Sequence, residues 1–421
     1  MRAHIHPGSG DAVPAASGQR PSLLIHCQYV YGIGHFVRAV ELARSLRHAF
    51  DVHLVSGGES VPNFALPDGI AFTQLPAVFK DEASGSLLCV DPSVSIETCM
   101  STRARLLAQL VQACRPDIVV TEHFPFGHLF EAEVVAMLDV LRRANPKALV
   151  VSSVRDVIDS AQGSDSDAHT CALISTWFDL ILVHGDARAI PLQSSFPMID
   201  CVTVPHVYTG YVVEPPAPRC LRAGPPLLVG AIGGGRVGQE LLAALVAAHR
   251  HVGASWNHEL LLFRGAFEDS DEACRGAGPQ VRIRAFDRAA YRQALAEASG
   301  VICLGGYNSV LEALSMSLPT LVYKRKFLGT NREQALRADM FRQSGLVKTV
   351  EEHELATPML AERMISHFQA HPAKPPGLDF EGGPNSCHIL LAHWHAHIAG
   401  GADRSAASRG VTSIPSPYVD R

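Results

Sequence analysis

Residues Val301–Lys324 read VICLGGYNSVLEALSMSLPTLVYK. A short apolar run meets the pair Gly305-Gly306, a stretch of helical period follows, and Pro319 opens a second apolar run. Strand, glycine turn, helix and strand in that order predict one parallel βαβ unit. Upstream of it lie LLVGAI (Leu227–Ile232), ELLLF (Glu259–Phe263) and VRIRAF (Val281–Phe286), with helical stretches in the gaps. The same alternation precedes them in LLIHC (Leu23–Cys27), Val52–Val55, DIVVT (Asp117–Thr121), ALVVSSV (Ala148–Val154) and DLILVH (Asp179–His184). Near-continuous apolar strands separated by helices predict parallel sheets covered on both faces. EPPAPRCLRAGPP, residues 214–226, interrupts the series and reads as a linker. The fold class is therefore α/β, with two doubly wound Rossmann-like domains facing across a cleft.

The chain of 421 residues is long enough for two such domains. The expected division is a disordered tail over 1–20, a first domain over 21–213, the linker, and a second domain over 227–385. A helix over 386–399 and a loose tail over 400–421 follow. Residues 1–20 lack the apolar core of a signal peptide or an anchor. Apolar residues at 47% against 18% charged describe a globular protein, and a net charge of −5 gives no electrostatic reason to expect nucleic acid as a partner. No apolar run is long enough to span a bilayer, so any membrane contact is peripheral. Phe64 to Val78 is amphipathic and reads equally as membrane contact or as core and loop. Ten cysteines without a C-x-x-C pair read as reduced thiols of a cytosolic protein. HWHAH at His393–His397 puts two histidines on one helical face with no carboxylate or thiolate at ligand spacing, so it reads as an ordinary amphipathic helix.

YGIGHFVRAVELARSL, Tyr31–Leu46, places a glycine turn directly after the first strand. A dinucleotide fingerprint needs a third glycine, and that position is Val37; the second strand ends in Ser56-Gly57-Gly58 instead of an acidic residue. Nicotinamide or flavin binding is therefore disfavoured, and His35 at the end of the turn invites acid–base chemistry. In the second half, Gly233-Gly234-Gly235-Arg236 joins a strand to a helix, where free backbone N–H groups and the helix dipole suit an anion. Arg236 would add a charge-assisted contact. Glu312, about one turn from Asn308, can accept hydrogen bonds from a vicinal diol such as a ribose.

The stretch from Ala285 through Val347 resembles GT-B glycosyltransferases, in particular the family 28-like group that includes the enzyme adding N-acetylglucosamine to lipid I. The resemblance implies that Glu312, seven residues before Pro319, holds the donor ribose and that Glu333-Gln334 contacts the donor sugar. It also implies that Phe286 and its neighbours present backbone to a uracil and that Gly233–Arg236 faces the diphosphate. The turn with Gly32, Gly34 and His35 corresponds to the family's acceptor and diphosphate loop, which makes His35 the candidate base. TEHFPFGHLFEAE (Thr121–Glu133), SVRDV (Ser153–Val157) and DLILVHGD (Asp179–Asp186) are similar to a bacterial branch of predicted glycosyltransferases. Glu122, His123 and Asp156 in these blocks are rival bases or supports for the acceptor.

The expected activity is inverting transfer of a sugar from a nucleotide-sugar, by family analogy a UDP-sugar, to a hydroxyl of a small molecule, lipid or polysaccharide. Two D-x-D pairs, Asp165-Ser166-Asp167 and Asp269-Ser270-Asp271, lie in polar stretches that read as solvated loops, so charge on the leaving diphosphate falls to backbone amides and Arg236, without metal or cofactor. A sugar-nucleotide epimerase of the same fold and a nucleotide-binding protein without chemistry are the alternatives.

Overall fold

The computed structural model describes residues 20–400 except 31, 63, 82–83, 160–163, 221, 235–236, 268–275, 326–331 and 370–376. The N-terminal domain runs β1 (Ser22–Cys27), α1 (Gly34–Leu46), β2 (Asp51–Ser56), β3 (Ala71–Gln74), the hairpin β4 (Val78–Lys80) and β5 (Leu87–Cys89), α2 (Ile96–Cys114), β6 (Ile118–Glu122), α3 (Glu131–Ala144), β7 (Leu149–Arg155), α4 (Ser164–Trp177), β8 (Leu180–His184) and β9 (His206–Tyr208). The C-terminal domain runs β10 (Leu227–Ala231), α5 (Gln239–Val252), β11 (Glu259–Phe263), β12 (Val281–Arg284), α6 (Arg288–Glu297), β13 (Gly300–Leu304), α7 (Tyr307–Ser315), β14 (Thr320–Lys324), α8 (Glu333–Gln343), β15 (Lys348–Glu351) and α9 (Thr357–Phe368). A final helix, α10 (Gly382–Gly400), follows.

Two all-parallel sheets result, in the orders β3-β2-β1-β6-β7-β8-β9 and β12-β11-β10-β13-β14-β15. Alternate residues of each central strand enter opposite cores. Leu23 and Ile25 of β1 pack under α1, while Leu24 joins Val119, Leu107 and Leu138 under α2 and α3. At ~1.5–3 kcal/mol for each fully buried Leu, Ile or Val, two such layers per sheet account for the all-apolar strands read from the sequence. The central strands anticipated from the sequence form within a residue or so of their expected ends; β3, the hairpin, β9 and β15 are edge or accessory strands of four residues or fewer that carried no apolar run.

The helix expected over 386–399 forms as α10 but packs back on the first domain. Leu390 is fully buried against the α1 layer, and Asn385 Nδ2 donates to the Thr209 carbonyl at 2.9 Å. Asp165 and Asp167, expected in a loop, open α4, where carboxylates complement the helix dipole. The Asp269-Ser270-Asp271 pair lies outside the described residues.

Each sheet reverses its strand order once, between β1 and β6 and between β10 and β13. In open parallel sheets, ligands bind beyond the carboxyl ends of the strands at such a reversal. The first reversal is flanked by the turn before His35 and by Glu122; the second by Gly233-Gly234 and Gly305-Gly306.

Candidate functional site

The two reversal points meet. Gly234 lies so close to Ile33 that an added Cβ would come within 2.0 Å of its Cγ1, and an added Cβ at Gly34 would lie 2.9 Å from an Arg155 guanidinium nitrogen. Asn308 Nδ2 donates to the Gly34 carbonyl at 3.0 Å, tying the amino end of α7 to the first glycine turn. Gly234 leaves the space that the Ile33 side chain fills, and Gly34 the space beside the Arg155 guanidinium.

His35 opens α1 with Nδ1 2.5 Å from Glu122 Oε2, and its ring keeps 23% of its exposure. Arg38, one turn further along α1, meets the other oxygen of Glu122 and is fully buried. The contact is one of proximity and charge rather than an aligned hydrogen bond; a proton carried on Nδ1, beside the carboxylate, would leave the lone pair on Nε2. Burial first, and then the charges of Arg155, His123 and Arg38, hold the His35 imidazole well below its usual range. It is therefore neutral, and able to accept a proton, at physiological pH. His123, in a left-handed backbone conformation after β6, lies 5.4 Å from the His35 ring.

Behind this pair is a buried ionic network drawn from both domains. Arg155, at the end of β7, donates from Nη1 to both oxygens of Glu333 at 2.8 and 2.7 Å. Arg337, one turn on from Glu333 in α8, donates to Glu333 at 2.6 Å and to Asp156 at 2.6–3.1 Å. Although burial opposes it, the two guanidiniums hold Glu333 down at about 2. Arg38, Arg155 and Arg337 also surround one aromatic ring, with their guanidinium carbons 5.5, 5.8 and 5.4 Å from the centre of Tyr307. The Tyr307 hydroxyl donates to the His184 carbonyl at 3.0 Å and accepts from Val212 N–H at 3.1 Å, so the ring bridges the domains.

Of the expected site residues, His35, Glu122, Gly34, Gly234, Asn308 and Gly305 converge here. Gly32 lies in the turn just before them; Gly306 is the N-cap of α7, and Gly233 has a left-handed φ of +75° with an added Cβ reaching Ser309 Oγ at 4.0 Å. Gly305 sits against the Gln334 carbonyl, 2.7 Å from where a Cβ would be. Gly235 and Arg236 lie outside the described residues. Asp156 is fully buried in an ion pair with Arg337 that joins the two domains. Phe286 packs against the core of the first domain. Glu312 is not a solvated helix residue: it is buried, its Oε1 is 2.6 Å from Arg288, and its Oε2 has no hydrogen-bond partner among the described residues. Burial lifts its carboxyl above the usual range, opposed by Arg288. Arg288 is held in the first turn of α6, which Asp287 caps by accepting from Ala290 N–H at 2.8 Å.

Sequence reasoning missed Arg38, Arg155, Arg288, Tyr307 and Arg337. Two carried a usable spacing signal: Arg38 is three residues after His35, and Arg337 is four after Glu333.

The histidines held below their usual range predict an acid-labile fold. Burial is also the leading cause that lowers His184 well below its usual range and His123 from 6.5 to about 4. Below pH ~6.5 the unfolded chain takes up protons that the native state refuses, so stability is full above that pH and falls toward pH 4. His123, which keeps part of its exposure, should cost at most about 2 kcal/mol between pH 7 and 5. Denaturant unfolding at the two pH values checks this; a His123→Gln variant should lose that part of the pH dependence.

These two facing domains constitute the GT-B fold. No family model matches the chain, and no curated protein matches it in sequence. Among solved structures it is similar to a calicheamicin glycosyltransferase (TM-score 0.55, 14% identity, 93% of this chain and 100% of that one). It is also similar to MurG of Acinetobacter baumannii (TM-score 0.51, 13% identity, 90% and 100%) and to a UDP-GlcNAc 2-epimerase from Methanocaldococcus jannaschii (TM-score 0.56, 11% identity, 88% and 99%).

Proposed function

We propose that the chain is an inverting glycosyltransferase that moves a sugar from a nucleotide-sugar, of which a UDP-sugar is the working choice, to an acceptor hydroxyl. The observation that carries this reading is the His35–Glu122 pair at the mouth of the first sheet's reversal, directly opposite the glycine turn and α7 of the second. Neutral His35 accepts the acceptor's proton at Nε2 as the oxygen attacks the anomeric carbon, and Glu122 stabilises the imidazolium that forms. One direct displacement inverts the anomeric centre. Amides of the Gly233-Gly234 turn and the amino end of α7, together with the positive field of Arg38, Arg155 and Arg337, oppose the negative charge of the leaving diphosphate. The Arg155–Glu333 pair and the Asn308–Gly34 bond cross the gap, so admitting a donor requires the domains to part and these contacts to break.

Glu312 fits the ribose role through its unpartnered Oε2, with Arg288 holding the other oxygen. Glu312→Ala is expected to weaken nucleoside diphosphate binding by about 1–3 kcal/mol; unchanged calorimetric affinity removes that role. An epimerase of the same fold remains the second reading, since one such enzyme has a similar structure. Incubation with donor alone separates the two: an epimerase converts the sugar, whereas a transferase leaves it attached until an acceptor is added.

A further inference from the structure

Away from both glycine turns, three metal-ligating side chains converge where the start of α3 meets α4. His128 and Glu131 come from the end of the β6–α3 loop and the first turn of α3, and His169 from the second turn of α4. His169 Nε2 is 2.9 Å from both oxygens of Glu131, and the His128 and His169 rings lie 5.0 Å apart. One ligand atom from each of the three lies within 4.8 Å of the others. Zinc bonds of ~2.0–2.2 Å put tetrahedral ligands about 3.4 Å apart, so side-chain shifts of about 1 Å complete the geometry. His128 Nε2 now pairs with Thr170 Oγ1 at 3.0 Å, a partner that an ion would replace. Asp167 of the first D-x-D pair adds negative potential at His128. Two imidazoles and one carboxylate favour zinc, cobalt or nickel over the all-oxygen demands of calcium and magnesium.

We propose that His128, Glu131 and His169 bind a divalent transition-metal ion of the zinc class, which pins α4 to the β6–α3 loop. That loop carries His123, and Gly127 lies against the His123 imidazole so closely that an added Cβ would be 2.6 Å from its Cδ2. His123 in turn borders His35. The ion is thus a brace for one wall of the site and takes no part in holding the diphosphate; the inference stands independently of the sugar-transfer reading.

The test is a titration of the EDTA-stripped full chain with Co²⁺, followed by its visible ligand-field absorption, then displacement by Zn²⁺. The expected result is one tight site whose band is lost, with binding weakened at least ~10-fold, in His169→Ala and in the shape-conserving Glu131→Gln. A His393→Ala/His397→Ala variant should bind like the wild type. Zn²⁺ should raise Tm for the wild type and not for His169→Ala, while the two have the same Tm in EDTA. Equal titrations for the wild type and both site variants, or loss of the band only in the His393/His397 variant, overturn the proposal.

Discussion

His35→Ala is expected to lower kcat by at least ~100-fold, and by as much as ~10⁴-fold, with little change in KM for the donor. Removing the imidazole takes away a group at the turn that is held neutral by its surroundings and lies beside a buried carboxylate. The donor contacts proposed for Gly233, Gly234 and Glu312 belong to the opposite domain and stay in place. Alanine is at home in the first turn of α1, so the fold should survive the change. Steady-state kinetics with separate determination of kcat and KM decide the matter. Near wild-type turnover would move the base elsewhere, with His123, 5.4 Å away, next in line. Because the imidazole is held below its usual range, the acid limb of the kcat/KM profile should fall at a pH well under the ordinary histidine value.

Asp156→Ala is expected to cost about 3–5 kcal/mol of stability, the usual penalty for stranding one partner of a buried ion pair. Asp156 and Arg337 are both fully buried, and the carboxylate receives three guanidinium contacts at 2.6–3.1 Å. Its loss leaves Arg337 with the Gly305 carbonyl and with Glu333, which Arg155 already engages twice. Since Asp156 belongs to one domain and Arg337 to the other, the variant should also loosen the interface. Chemical and thermal unfolding measure the loss, and Asp156→Ala/Arg337→Met should recover much of it because no charge is left stranded. A single variant within ~1 kcal/mol of the wild type would show that the pair does not hold the domains together.

Some of this was legible along the chain and some was not, for physical reasons. A parallel strand buried on both faces must be apolar at nearly every position, so the long central strands announced themselves; β9 and β15, at the sheet edges and three or four residues long, did not. Glycine turns beside His35, at Gly233-Gly234 and at Gly305-Gly306 were readable because a strand-to-helix turn with a left-handed φ, as at Gly233, or a close approach, as at Gly234 and Gly305, favours glycine. The charged network was not. Arg155 and Glu333 are 178 residues apart, and Asp156 and Arg337 are 181 apart. No local periodicity couples such positions. Glu312 had a recognisable place in the sequence, yet its partner Arg288 came only with the packing of α6 against α7.

Taken alone, the order of residues determined two parallel α/β layers and the glycine-lined ends of their strands, because burial and backbone geometry are local demands written at nearly every position. Only the tertiary structure decided which charges meet: that Glu122 holds His35, that Asp156 anchors Arg337, and that the last helix returns to the first sheet. Coulomb and hydrogen-bond energies depend on separation in space, and separation along the chain says almost nothing about that.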